Sequence, residues 1–122
     1  NVKQVIVMRR DLKVRRGKEI AQGAHASIRW LVQVVKEGYV DSLSPQEREW
    51  LDGSFTKVCL QVESEAELKE LHQKAHIMGM QSHLIVDNGV TEFNGVKTTT
   101  CLAIGPDYAD KIDQVTGHLK LY

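Results

Sequence analysis

Cysteine and proline occur only twice each in this 122-residue chain, and positive and negative charges cancel. Two cysteines, each inside an apolar segment with no neighbour in sequence, exclude a disulfide scaffold and do not make a zinc site. They are expected to be buried thiols in a reducing compartment. No apolar run approaches the ~20 residues a membrane span needs, so no membrane partner is expected. There is no secretory h-region, and cytoplasm is the expected setting; since the sequence begins at Asn1, a removed organellar presequence stays compatible with it. Repeats, linkers and low-complexity stretches are also missing, which leaves residues 1–122 as one domain.

Zero net charge would argue against a polyanionic partner if the charge were evenly spread, and it is not. Lys3, Arg9, Arg10, Lys13, Arg15, Arg16 and Lys18 face Asp11 alone in the first 18 residues. Screening cuts off distant charges beyond roughly 8–10 Å, so a local basic stretch can hold phosphates on a neutral molecule. The plainer reading of such a run is a solvated surface.

A long predicted helix follows, from about Lys18 to Lys36 with Gly38 as its stop. It carries Lys18, Gln22, His25 and Arg29 at steps of four, three and four residues, within roughly 60° of one another at about 100° per residue. Ile20, Ala24, Ile28, Leu31 and Val35 cluster on another side. That stripe is expected to face the core and leave the Lys/Gln/His/Arg edge to meet an anionic ligand.

Elsewhere Gln4–Met8 reads as a buried strand, and Ser44-Pro45-Gln46-Glu47 opens a short helix to about Leu51. Thr56–Val62 is a second strand, and Ser64–Glu67 caps a helix that runs as far as Gly79. Ser82–Val86 is a third strand leading into the turn Asp87-Asn88-Gly89. Thr98–Ile104 is a fourth, closed by Gly105-Pro106, and a helix with Tyr108, Ile112 and Val115 on one side precedes the tail. The order β-α-α-β-α-β-β-α predicts an α/β fold: a single three-layer domain, a four-stranded mixed sheet with helices on both faces. Ligands of such sheets gather where strands end, which puts the basic loop after the first strand near the Asp87 turn.

Three motifs in this order resemble one family. Gly17-Lys18, Ala21-Gln22 and His25-Ala26 resemble the first-helix motif of the archaeal and eukaryotic type of peptidyl-tRNA hydrolase, the type 2 family. Asp87-Asn88-Gly89-Val90-Thr91 resembles its aspartate-glycine-threonine turn. Gly105-Pro106, Ala109-Asp110, Ile112-Asp113 and Val115 to Leu121 resemble its closing signature. Arg15-Arg16 and Asn88 stand where many members carry small residues. The resemblance implies an enzyme that uses no cofactor, is often a homodimer, and cleaves the ester between a peptide and the terminal ribose of tRNA.

Such a reaction needs a positioned water, a donor for the oxyanion and a grip on phosphates. Asp87, at a strand end, can hold or deprotonate water, although an Asx-turn bond to Gly89 or Val90 is the plainer use of that carboxylate. Lys18 can offer its ammonium to the oxyanion or to a phosphate near the acceptor end, in a place where the helix dipole prefers anions; an ordinary exposed lysine is the plainer reading. Gln22 both donates and accepts, and His25 either shuttles protons or serves as a structural hydrogen bonder. The Thr91 and Thr116 hydroxyls could position substrate or merely cap backbone. Arg10, Lys13, Arg15, Arg16 and Arg29 are the candidate phosphate contacts. No serine or cysteine has the surroundings of a strained nucleophile, and His72 with His76 lacks a third metal ligand. A non-catalytic RNA-binding or adaptor protein on the same fold is the alternative; it would need the cations but not Asp87.

Overall fold

The apolar run Val5-Ile6-Val7-Met8 occupies a central strand buried on both sides, which is why it is continuous rather than alternating. The computed structural model describes residues 1–90 and 92–122. Its elements are β1 (Val2–Arg9), α1 (Arg16–Glu37), α2 (Pro45–Asp52), β2 (Lys57–Val62), α3 (Glu65–Ile77), β3 (Ser82–Asp87), β4 (Thr98–Tyr108) and α4 (Ala109–Thr116), with a 3-10 turn at Val40–Ser42. The sheet order is β2-β1-β4-β3; β1 is parallel to β2, and β4 is antiparallel to both β1 and β3.

Alternate residues of the two central strands feed two cores. Val5, Val7, Leu102 and Ile104 pack with Leu68, Leu71 and Ala75 of α3 and with Ile112 and Val115 of α4. Ile6, Met8, Cys101 and Ala103 form the opposite core with Ile85 and with Ala26 of α1. The order and layering are therefore those expected from the sequence.

Local chemistry sets the helix ends. Ser44 accepts from the Glu47 amide at 3.1 Å while the Glu47 carboxylate accepts from the Ser44 amide at 2.8 Å, and Pro45 opens α2. Ser64 caps α3 through the Glu67 amide. Gly38, at φ 79°, closes α1 in the left-handed region.

Three expectations are corrected. First, β4 does not stop at Gly105-Pro106 but runs on to Tyr108. A register shift in β1 between Lys3 and Val5 lets Lys3 and Val2 pair with Asp107 and Tyr108. Gly105, at φ 95°, fits there because a Cβ would lie 2.9 Å from the Lys3 carbonyl oxygen. Second, Cys59 is exposed, and only Cys101 is buried.

Third, the apolar stripe of α1 does not face the core. Gln22, Ala26, Ser27 and Trp30 are buried, whereas Ile20, Ile28 and Val35 are 67%, 51% and 59% exposed. Small Ala26 allows close approach to the sheet, and the polar residues beneath α1 satisfy one another. Ser27 donates to the Gln4 side-chain carbonyl at 2.7 Å, and the Gln4 amide donates back to the Ser27 carbonyl at 3.0 Å. Trp30 packs edge-on against Trp50 at 6.0 Å between ring centroids. The apolar stripe instead borders a groove of about 750 Å³ between α1, α2 and β2, lined by residues including Trp30, Trp50 and Phe55.

Candidate active site

The last residue of β3 and the first two turns of α1 meet at one carboxylate. Lys18 donates its ammonium to Asp87 Oδ1 at 2.8 Å, and the Gln22 side-chain amide donates to the same oxygen at 3.2 Å. Asp87 Oδ2 accepts from the Gly89 backbone amide at 2.9 Å. The turn bond expected of Asp87 is present on Oδ2, while Oδ1 serves the helix. A carboxylate offers about four lone-pair directions and these bonds use three, so a water can still be held.

Asp87 and Lys18 keep only 10% and 13% of their side-chain surface exposed. The Lys18 hydrogen bond is the largest influence holding the Asp87 carboxyl below its usual range; burial opposes it, and the Gly89 amide, the ammonium charge and Gln22 add to it. The carboxylate is therefore fully ionised at neutral pH. Lys18 also lies 5.9 Å from the centre of the Phe93 ring, a cation–π approach.

Thr100 of β4 completes the cluster. Its buried hydroxyl donates to the Gln22 side-chain carbonyl at 2.6 Å, which orients the amide end of Gln22 toward Asp87. Beside it the Cys101 thiol donates to the Gln22 backbone carbonyl, and burial pushes its pKa up to about 12, too high for a nucleophile.

The turn after Asp87 explains its sequence. Gly89 has φ 83°, and a Cβ there would lie 2.1 Å from the Val96 carbonyl oxygen. Its own carbonyl accepts from the Phe93 and Gly95 amides. The loop is tied to the start of α1 by Arg15, whose guanidinium donates to Glu92 at 2.5 Å. Thr91 lies outside the described residues.

The other sequence candidates separate. His25 and Arg29 are exposed on the same side of α1 and, with Gln22 and Asp87, line a groove between α1 and β3. His25 makes no side-chain hydrogen bond to the described residues, so it is not a structural hydrogen bonder among them. Thr116 is not brought to the site: it is buried beside the α3/α4 core, and its hydroxyl donates back to the Ile112 carbonyl at 3.3 Å, the plain helix-end bond. Lys13 and Arg16 are exposed near the start of α1, and Arg10 reaches Gln61 and the face of Tyr122. Arg9, paired with Asp11 and the Thr99 carbonyl, and Lys3, paired with Asp113, keep only 12% and 20% of their side chains exposed and leave the basic surface, whereas Arg15, paired with Glu92, stays 76% exposed. His72 is bonded to Ser82 Oγ at 2.7 Å.

Thr100, Glu92 and Phe93 were not singled out from the sequence. Thr100 falls at the register shift of the β3/β4 pair, between Thr99 opposite Val86 and Cys101 opposite Ile85, and no pattern in the sequence marks that position.

A carboxylate kept ionised by an ammonium and an amide, beside a surface of arginine and lysine, defines a site suited to positioning water against an anionic substrate. Residues 2–122 match the family described as "Peptidyl-tRNA hydrolase PTH2". A protein named peptidyl-tRNA hydrolase from Methanopyrus kandleri is 45% identical over 119 residues, 98% of this chain and 97% of that one. One of the same name from Methanocaldococcus jannaschii is 40% identical over 123 residues, 98% and 99% of the two chains. A solved structure from Agrobacterium tumefaciens, described as a protein of unknown function, covers 99% of this chain and 97% of its own at 13% identity with a TM-score of 0.59, and shows the fold alone. The chain belongs to the peptidyl-tRNA hydrolase PTH2 family.

Proposed function

We propose that this chain hydrolyses the ester joining a peptide, or an N-blocked aminoacyl group, to the 3′-terminal ribose of tRNA, releasing the tRNA for reuse. The observation that carries the reading is Asp87 held between Lys18, Gln22 and Gly89 next to the basic start of α1. Water held on Asp87 attacks the acyl carbon, and the carbonyl electrons move onto oxygen, where the Lys18 ammonium and the Gln22 amide stabilise the charge. The bond to the ribose oxygen then breaks, and that oxygen takes the proton the water gives up. An Asp held well below neutral is a weak proton acceptor, so Asp87 acts mainly by orientation and by holding the proton briefly. His25 lines the same groove as Asp87 and is the candidate to pass that proton on to the ribose oxygen. The chemistry uses no cofactor, and it continues in the presence of a chelator.

Arg10, Lys13, Arg15 and Arg16 contact tRNA phosphates in this reading. Replacing Arg15 and Arg16 by alanine reduces the slope of log affinity against log salt by roughly 1–2, read from tRNA binding at several salt concentrations. An unchanged slope removes both residues from the interface.

A second copy of the chain is the partner proposed for the apolar groove between α1 and α2, which leaves Ile20 and Ile28 exposed. Sedimentation at twice the 13.8 kDa chain mass is the check. Two free thiols support cytoplasmic translation as the setting.

Purified chain releases tRNA from N-acetyl-aminoacyl-tRNA in the test of this function. Salt-sensitive binding without release would make it an RNA-binding module instead.

A further inference from the structure

An ester carbonyl carries two substituents, and they must leave the reacting carbon in different directions. The polyanionic ribose side is drawn to the cations at the start of α1. The acyl side needs a path that begins at Asp87 and leads away from them.

Among the described residues one groove has that placement. About 430 Å³ in volume, it is lined by Asp87 and Gln22 together with Arg29, Val32 and Val86. That volume is within the ~300–1,000 Å³ range of small-ligand clefts. The larger apolar groove between α1 and α2 includes neither Asp87 nor Gln22. Along α1 the path from Gln22 to Val32 is about 15 Å, and Arg29 stands about 20 Å from Arg16. Arg29 is therefore well removed from the phosphate-facing cluster.

Two features suit this path to an extended peptide. First, β3 is an outer strand paired only with β4, whereas the opposite outer strand, β2, is covered by tail residues: Tyr122 donates to the Cys59 carbonyl and Gln61 to the Lys120 carbonyl. An open strand edge can accept an extended chain. Second, the lining mixes exposed apolar surface, with Val86 57% and Val32 39% exposed, with a guanidinium that forms no hydrogen bond or ion pair to the described residues. Apolar contacts and carbonyl-directed donors hold a peptide with little regard to its sequence.

We propose that the groove between α1 and β3 is the peptide subsite: the last few residues of the peptidyl group lie along β3, with side chains on Val32 and Val86 and a backbone carbonyl accepting from Arg29. This assignment rests on the hydrolase reading above.

The test compares two substrates on the same tRNA with the same esterified amino acid, one N-acetyl-aminoacyl and one N-acetyl-tetrapeptidyl. Wild type favours the tetrapeptidyl substrate by about tenfold in kcat/KM, through KM, because binding of the remote residues adds affinity. Val32→Glu places a charge in the groove and lowers that preference at least about fivefold, and Arg29→Ala lowers it while the salt slope of tRNA binding is retained. A folding defect would depress both substrates alike and leave the preference standing. A wild-type ratio of one, or variants that melt like wild type and keep its ratio, overturns the subsite, as does an Arg29→Ala protein whose salt slope flattens with the ratio intact. If wild type binds tRNA but cleaves neither substrate, the hydrolase reading itself has failed, and that result is distinct from all the others.

Discussion

Asp87→Asn slows single-turnover ester cleavage by about 10²–10⁴-fold while tRNA affinity stays near wild type. The substitution keeps the shape and removes the charge. Asp87 accepts three hydrogen bonds, two on Oδ1 from Lys18 and Gln22 and one on Oδ2 from Gly89. An asparagine has one acceptor oxygen, so its NH₂ must face either the Lys18 ammonium or the Gly89 amide, donor against donor. Either the helix side or the turn side of the site loses its register, and the attacking water loses its anchor. Wild-type cleavage by this variant would remove Asp87 from catalysis.

The same network stabilises the fold in a defined pH window. Because the Asp87 carboxyl is held below its ordinary value, first by the Lys18 hydrogen bond, its contribution is complete above the unfolded value of about 3.9. It is lost as pH falls through the lower folded value.

Lys18→Ala has the second large effect, lowering kcat/KM by about 10²–10³-fold, the usual cost of removing one oxyanion donor. A nearly buried ammonium in contact with a carboxylate and close to the Phe93 ring is held in place before substrate arrives. Its loss falls mainly on kcat. If Lys18 only grips phosphate, KM rises and kcat is kept, which stopped-flow or quench measurements at saturating enzyme separate. The variant also leaves Asp87 with Gln22 and Gly89 alone, so the carboxyl titrates at higher pH than in wild type.

The strands and helix ends were legible in the sequence because their signals are local. Ser44 with Glu47, Gly38 and the unbroken run Val5–Met8 each act over a few residues, and each takes the expected form. The face of α1 was misread because periodicity counts hydrophobic side chains and does not count polar pairs across the fold. Gln22 and Ser27 are buried because Thr100, Asp87 and Gln4 meet them, 78, 65 and 23 residues away in sequence. Lys18, Gln22 and Asp87 could be chosen from residue type, spacing and resemblance. Thr100 and Glu92 could not, since their roles exist only once β4 lies beside β3 and the loop returns to Arg15. Thr116 failed for the converse reason: its motif is at the end of α4, and the topology sends α4 to the opposite face of the sheet from α1.

If the essential group is a carboxylate kept ionised by Lys18, the pH dependence of the single-turnover rate in wild type shows it most directly. With Asp87 in that role the rate is level from about pH 8 down to roughly pH 5 and falls only below the ordinary aspartate value of ~3.9. An acid limb that begins well above about pH 5 would contradict it, because an aspartate held below its ordinary value of ~3.9 keeps its charge there.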